Sequence, residues 1–146
     1  MKNFALYMIF AVCFSACEAE QKQIDITKLS GYWEIQKVTA PGQDRKEYKV
    51  NETFDHYELK QKKGIRSKVK PQFDGTFLTN DQSEQFTLVN EKGDTYLNYV
   101  TPFASWREQI VVLEDSALVI RNEQKQEFHY KKAGPLNFTG DGETTK

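Results

Sequence analysis

Two cysteines and two histidines in 146 residues leave little material for nucleophilic, redox or metal chemistry. No G-x-S-x-G turn is present to expose a serine, and no recognisable motif fixes a pair of carboxylates. His56 directly follows Asp55, but neighbours on a strand point to opposite faces, so they cannot act as a base and its orienting carboxylate. His56 and Glu58 share a strand face, yet a metal needs three or four convergent donors, and only the distant His129 could join them. The expectation is therefore a protein that is not an enzyme and carries no metal or cofactor. Charge of one sign is also missing, with 20 Lys and Arg against 21 Asp and Glu and a formal net charge of −1. A near-neutral chain lacks the net electrostatic attraction that carries nucleic-acid binding, and no nucleic-acid partner is expected. No segment of useful length has a helical period, and no apolar run reaches the roughly 20 residues that a membrane-spanning helix needs.

What the chain does have begins at its amino terminus. Lys2 is followed by an apolar run over residues 4–14, and Phe14-Ser15-Ala16 then leads to Cys17 with polar residues immediately after it. This is the layout of a secretion signal over residues 1–16. The small residues before Cys17 resemble the lipobox of bacterial lipoproteins, in which the cysteine receives a diacylglycerol and becomes the acylated new amino terminus. That resemblance implies a palmitate-type anchor at Cys17, a partner membrane, and residence in the bacterial cell envelope, with the outer membrane the expected address. Ordinary cleavage after Cys17-Glu18-Ala19, giving an unanchored product, is the alternative. In the lipidated form Cys13 leaves with the signal and Cys17 becomes a thioether, so no thiol remains for a disulfide. Loss of Lys2 leaves 19 basic against 21 acidic side chains, a balance of −2. Several acyl chains suffice for stable anchoring, since each buried CH₂ contributes about 0.8 kcal/mol. Residues 17–28 read as the lipidated cysteine and a tether, with one helical turn or a loop over 24–29 leading into a single domain at 29–133. Residues 134–146 read as a disordered tail.

Within the domain every signal is that of strands, and the high aromatic content fits half-buried pleats better than a bundle. Strands are expected at residues 32–39, 53–60, 65–70, 76–79, 85–89, 95–100, 106–113, 117–121 and 127–132, with turns at Gly64, Asp74-Gly75, residues 91–94 and residues 114–116. Alternation places Tyr57 and Leu59 on one face, and Ile65 and Val69 inward with Arg66, Lys68 and Lys70 outward. Closely spaced strands joined by short turns describe an all-β, antiparallel up-and-down meander that closes into a small, roughly eight-stranded barrel.

Gly31-Tyr32-Trp33 at the head of the first strand carries a G-x-W pattern, and Lys131 and Lys132 close the last strand. With the strand spacing over residues 29–132, this resembles the lipocalin-like domains of bacterial envelope lipoproteins. The resemblance implies that Trp33 plugs one end of the barrel, that Gly31 allows a close backbone approach there, and that Lys131 or Lys132 packs over the indole. It also implies a small apolar or amphipathic ligand inside the barrel. Strand alternation nominates Tyr57, Leu59, Phe77, Phe86, Leu97, Tyr99, Ile110 and Phe128 as its lining. The alternative is a barrel filled by its own side chains, acting through its outer surface in an envelope assembly. Lys60, Lys62, Lys63, Arg66, Lys68 and Lys70 form a basic stretch without an intervening acid, read either as a solvated, edge-protecting face or as a contact for an anionic envelope surface. A monomer is expected.

Overall fold

The computed structural model describes residues 23–134. The signal, Cys17, residues 18–22 of the tether and nearly all of the expected tail lie outside the described residues. Asp25 opens a single 3₁₀ turn, Ile26–Lys28, by accepting from the Thr27 amide, and the chain then enters nine strands. They are β1 Gly31–Thr39, β2 Lys46–Glu47, β3 Phe54–Lys60, β4 Lys63–Pro71, β5 Phe77–Glu91, β6 Asp94–Val100, β7 Ser105–Leu113, β8 Ala117–Arg121 and β9 Glu127–Lys132.

β1 pairs antiparallel with β3, each strand from β3 to β8 pairs antiparallel with the next, and β9 pairs back onto β1 from Trp33 opposite Lys132 to Thr39 opposite Glu127. This closes an eight-stranded barrel, with β2 as a two-residue addition beside the far half of β1. Closure removes the free edges that an open sheet of this size would expose. Irregularities in register at residues 35–37, 67–69 and 110–112 give the local bends that a small barrel needs.

Three local readings of the sequence are corrected. The expected strands at 76–79 and 85–89 are one strand, β5, which brings the number closing the barrel to eight. The charged loop before β3 contributes β2, and Asn51 pins it by donating to the Glu34 carboxylate and the Ile35 carbonyl at 2.9 and 2.8 Å. Gly64 does not close a turn. The β3–β4 turn is Gln61-Lys62, with Gln61 at φ +57°, and Gly64 lies inside β4 opposite Leu59 and Phe86.

The turn position sets the facing of β4. Tyr57 pairs with Arg66 and Glu58 with Ile65, so Arg66 shares the inward face with Tyr57, while Ile65 lies on the outer one. The expectation of Ile65 inward and Arg66 outward is therefore reversed, because a register displaced by one residue exchanges the two faces.

Candidate functional site

The end where the chain enters the barrel is closed by a compact lock. The Trp33 indole is fully buried and donates to the Leu29 carbonyl at 2.8 Å. Lys132 lies over its ring with Nζ 4.8 Å from the centroid, and the same ammonium donates to the carbonyls of Lys28 and Ser30 at 2.8 and 3.0 Å. Gly31 sits at φ +130°, and a Cβ there would stand 2.9 Å from the Lys132 Cε, so the backbone conformation and the close approach both call for glycine. Partial burial pulls the Lys132 pKa down, against the pull of Asp115. Lys131 points elsewhere and pairs with Glu34 at 2.9 Å.

Of the side chains nominated for a ligand, Tyr57, Phe86, Leu97, Tyr99 and Ile110 face inward and are at most 3% exposed. They form one packed cluster with Trp33, Leu118, Ile120 and Tyr130, and Leu59 and Phe128 pack against it. Side chains bordering a chamber wide enough for water would present surface to it, and these do not. Phe77 is not part of this cluster. It lies on the opposite face, its ring 3.9 Å from that of Tyr32, which in turn stacks on His56 at 4.2 Å. Phe77 and Phe86 lie nine residues apart on the single strand β5, an odd number, so alternation along it puts them on opposite faces; taking residues 76–79 and 85–89 as two strands hid that relation.

The polar centre of the interior went unrecognised in the sequence. Arg66, beneath the Tyr99 ring at 4.5 Å, donates to Glu84 at 2.7 Å, to Glu108 at 3.0 Å and to the Tyr57 hydroxyl at 3.4 Å. Burial opposes its charge, but Tyr57, Tyr99 and Glu108 more than offset this and its pKa moves up. Burial pushes the Glu108 carboxyl up, with Arg66 pulling it back only in part. Burial likewise raises the Tyr57, Tyr99 and Tyr130 phenols, so all three stay neutral at ordinary pH. The Tyr99 hydroxyl is buried beside the Glu108 carboxylate and the Tyr57 hydroxyl, without a hydrogen bond of good geometry among the described residues. With two carboxylates on one guanidinium, this centre has no spare positive charge for an anionic head group.

The outer surface carries the open space. Two rows of residues cross β3, β4, β5 and β6 on the face away from Tyr57: Glu58, Ile65, Gln85 and Val100 in one, Lys60, Lys63, Thr87 and Asn98 in the other. They line an open trough of about 500 Å³ whose floor is the Gly64 backbone with the Phe86 ring beneath. Lys68, from the same basic stretch, is committed to buried Asp55 at 2.5 Å.

The two histidines have separate surroundings. His56 Nδ1 is 3.6 Å from Glu58, and His129 Nε2 is 3.5 Å from Glu127 and 3.4 Å from the Thr39 hydroxyl. Burial, followed by the charge of Lys37, lowers the His129 pKa, with Glu127 opposing. Among the described residues no group of three or more His, Cys, Asp and Glu side chains converges. No helix among them is long and apolar enough to cross a membrane.

Comparison with known proteins gives a match to the family model of the lipocalin-like domain over residues 29–120. Among solved structures, a lipocalin-like protein from Bacteroides uniformis is similar at 12% identity and a TM-score of 0.47, over 73% of this chain and 99% of that one. An uncharacterized protein from Bacteroides eggerthii is similar at 8% identity and a TM-score of 0.46, over 71% of this chain and 98% of its own. Lobster apocrustacyanin A1 is similar at 11% identity and a TM-score of 0.43, over 75% of this chain and 63% of its own. No curated protein matches.

Proposed function

The chain belongs to the lipocalin-like domain family, and we propose that it is a lipid-anchored lipoprotein of the bacterial cell envelope, held in the membrane at Cys17, whose barrel is a filled scaffold working through its outer surface. One observation carries this reading. The inward side chains that a carrier would use on its ligand, Tyr57, Phe86, Leu97, Tyr99 and Ile110, are already spent on one another and on the Arg66 centre. Anchoring rests on the apolar run ending in Phe14-Ser15-Ala16-Cys17 and on the short polar link between that cysteine and the barrel. A solid barrel on such a link presents its flanks to whatever shares the envelope with it.

A second reading, a small hydrophobic ligand inside the barrel, is favoured by the buried Tyr99 hydroxyl, which makes no hydrogen bond of good geometry among the described residues and could satisfy a ligand's polar atom. One experiment separates the two and tests the anchor. The protein is recovered gently from its native membrane, its amino terminus is identified by mass spectrometry, and it is extracted for bound lipid. An acylated Cys17 with no stoichiometric small molecule is the expected result. An unmodified terminus downstream of Cys17 removes the anchor, and a ligand at one per chain, displaced by substitution of Tyr99 but not of Lys63, restores the carrier.

A further inference from the structure

We propose that the trough over Gly64 binds a small amphipathic anion, its carboxylate or phosphate between Lys60 and Lys63 and its apolar body along Ile65 and Val100. This rests on the outer-surface reading above and names the ligand class for it. Three features of the trough converge on that chemistry.

The first is charge. Lys60 and Lys63 are direct cross-strand partners in the same row, an arrangement that is unfavourable for like charges. Neither has an ion pair among the described residues, nor do Lys62 and Lys70 of the same stretch, whereas Lys68 pairs with Asp55, and Arg66 with Glu84 and Glu108. An anion placed between the two ammonium groups relieves the repulsion and gains two charge-assisted contacts.

The second is the pair of apolar side chains in the row beside them, Ile65 and Val100, which flank Gln85 in a row that begins at Glu58. Val100 is 66% exposed at the end of its strand, and Ile65 is turned to the same outer face by the register of β4. Their row is offset from the lysines by one step of alternation on the same face, so an extended molecule can lie with its head in one row and its body in the other.

The third is shape. The trough has the volume of an ordinary small-molecule site, which falls at roughly 300–1,000 Å³. It is a hollow in the flank of the sheet rather than a protruding patch. A flat bilayer surface cannot enter a hollow, so the occupant is a free monomeric amphiphile and not a head group still in its membrane.

The test uses the full chain in nanodiscs of neutral phosphatidylcholine and a medium-chain fatty acid carrying a diazirine. Labelling is followed by peptide mapping. Saturable labelling of the peptides that hold Ile65 and Val100 is expected. The double variant Lys60→Glu, Lys63→Glu should weaken it about tenfold or more, the order that follows when charge-assisted contacts become repulsions. The corresponding photoreactive alcohol should label weakly, and the variant's melting temperature should match that of the parent because both side chains are exposed. Labelling confined to β8 and β9 peptides overturns both the trough and the filled barrel. No saturable labelling, or labelling unchanged in the double variant, overturns the trough and leaves the outer-surface reading standing. Competition by nanodiscs containing phosphatidylglycerol, with none by free fatty acid, assigns the lysines to a membrane and likewise overturns the proposal.

Discussion

The ring of Phe86 occupies the space that a side chain on Gly64 would need. A Cβ at that position would overlap the ring at Cζ and stand 2.5 Å from the Glu58 carbonyl oxygen. The two residues are cross-strand partners on β4 and β5, so the glycine gives the aromatic ring its seat.

Gly64→Ala should therefore destabilise the domain by about 1–3 kcal/mol, the usual penalty for overpacking. Phe86→Leu frees part of that space, and the double variant should lose less than the sum of the two single changes. Urea unfolding of the four proteins measures the coupling. Simple additivity would mean that the ring and the glycine do not share the space.

Arg66→Met removes the cation that holds Glu84 and Glu108 together inside the barrel. Breaking a buried pair from one side typically costs about 3–5 kcal/mol. The loss should be greatest at neutral pH. Glu108 already has a raised folded-state pKa, and without Arg66 it rises further, so the folded state binds more protons than the unfolded one over the intervening pH range. Stability then falls as pH rises through that range and is regained on acidification. Unfolding midpoints at pH 7 and about pH 5 should differ less from the parent at the lower value. A deficit that is independent of pH would assign the effect to packing alone.

The two terminal lysines should behave differently. Lys132→Met removes the contact with the Trp33 ring and the caps on two carbonyls, and should cost about 1–2 kcal/mol. Lys131→Met breaks a half-exposed pair with Glu34 and should cost less than about 0.5 kcal/mol. Trp33→Ala should exceed both, at about 3–5 kcal/mol. Thermal melts of the three variants test the order, and equal effects for the two lysines would separate Lys132 from the lock.

His129 should titrate below its ordinary value of 6.5, because partial burial and Lys37 disfavour the imidazolium. A depressed folded-state pKa gives stability that is present above the unfolded value and lost as pH falls through the folded one. His129→Gln should accordingly reduce the acid sensitivity of the domain just below neutrality. Ring resonances followed by NMR against pH give the pKa directly, and a midpoint above 6.5 would reverse the sign.

The barrel was legible because its determinants are local. Alternation exposes the inward set Tyr57, Phe86, Leu97, Tyr99 and Ile110, and the turn residues Gly75 and Gly93 take the positive φ that their positions suggested. The interior charge was not legible. Placing the turn at Gly64 rather than at Gln61-Lys62 turns β4 over, and a buried arginine is then read as a solvated one beside an inward isoleucine. Nothing short of the cross-strand pairing of Tyr57 with Arg66 corrects this, since Glu84 and Glu108 are distant in sequence and neither looks like a core residue by itself. The trough was hidden for the same reason. Its rows come from four strands and exist only once their registers are known.

The seam between β1 and β9 also determines how the molecule responds to a mechanical load. These strands are antiparallel neighbours, and the chain enters and leaves the barrel at the Trp33 end, where the Ala133 amide donates to the Tyr32 carbonyl. Tension applied between residues 23 and 134 would open that seam like a zipper, one bond at a time, starting at Lys132. Tension transmitted from residue 23 to the loops at the opposite end would instead run along β1 and load its bonds to both neighbouring strands in parallel. The barrel therefore has a resistant direction, from residue 23 to the far loops, and a weak one along the seam, and the Lys132 clasp protects the one from which it could be peeled.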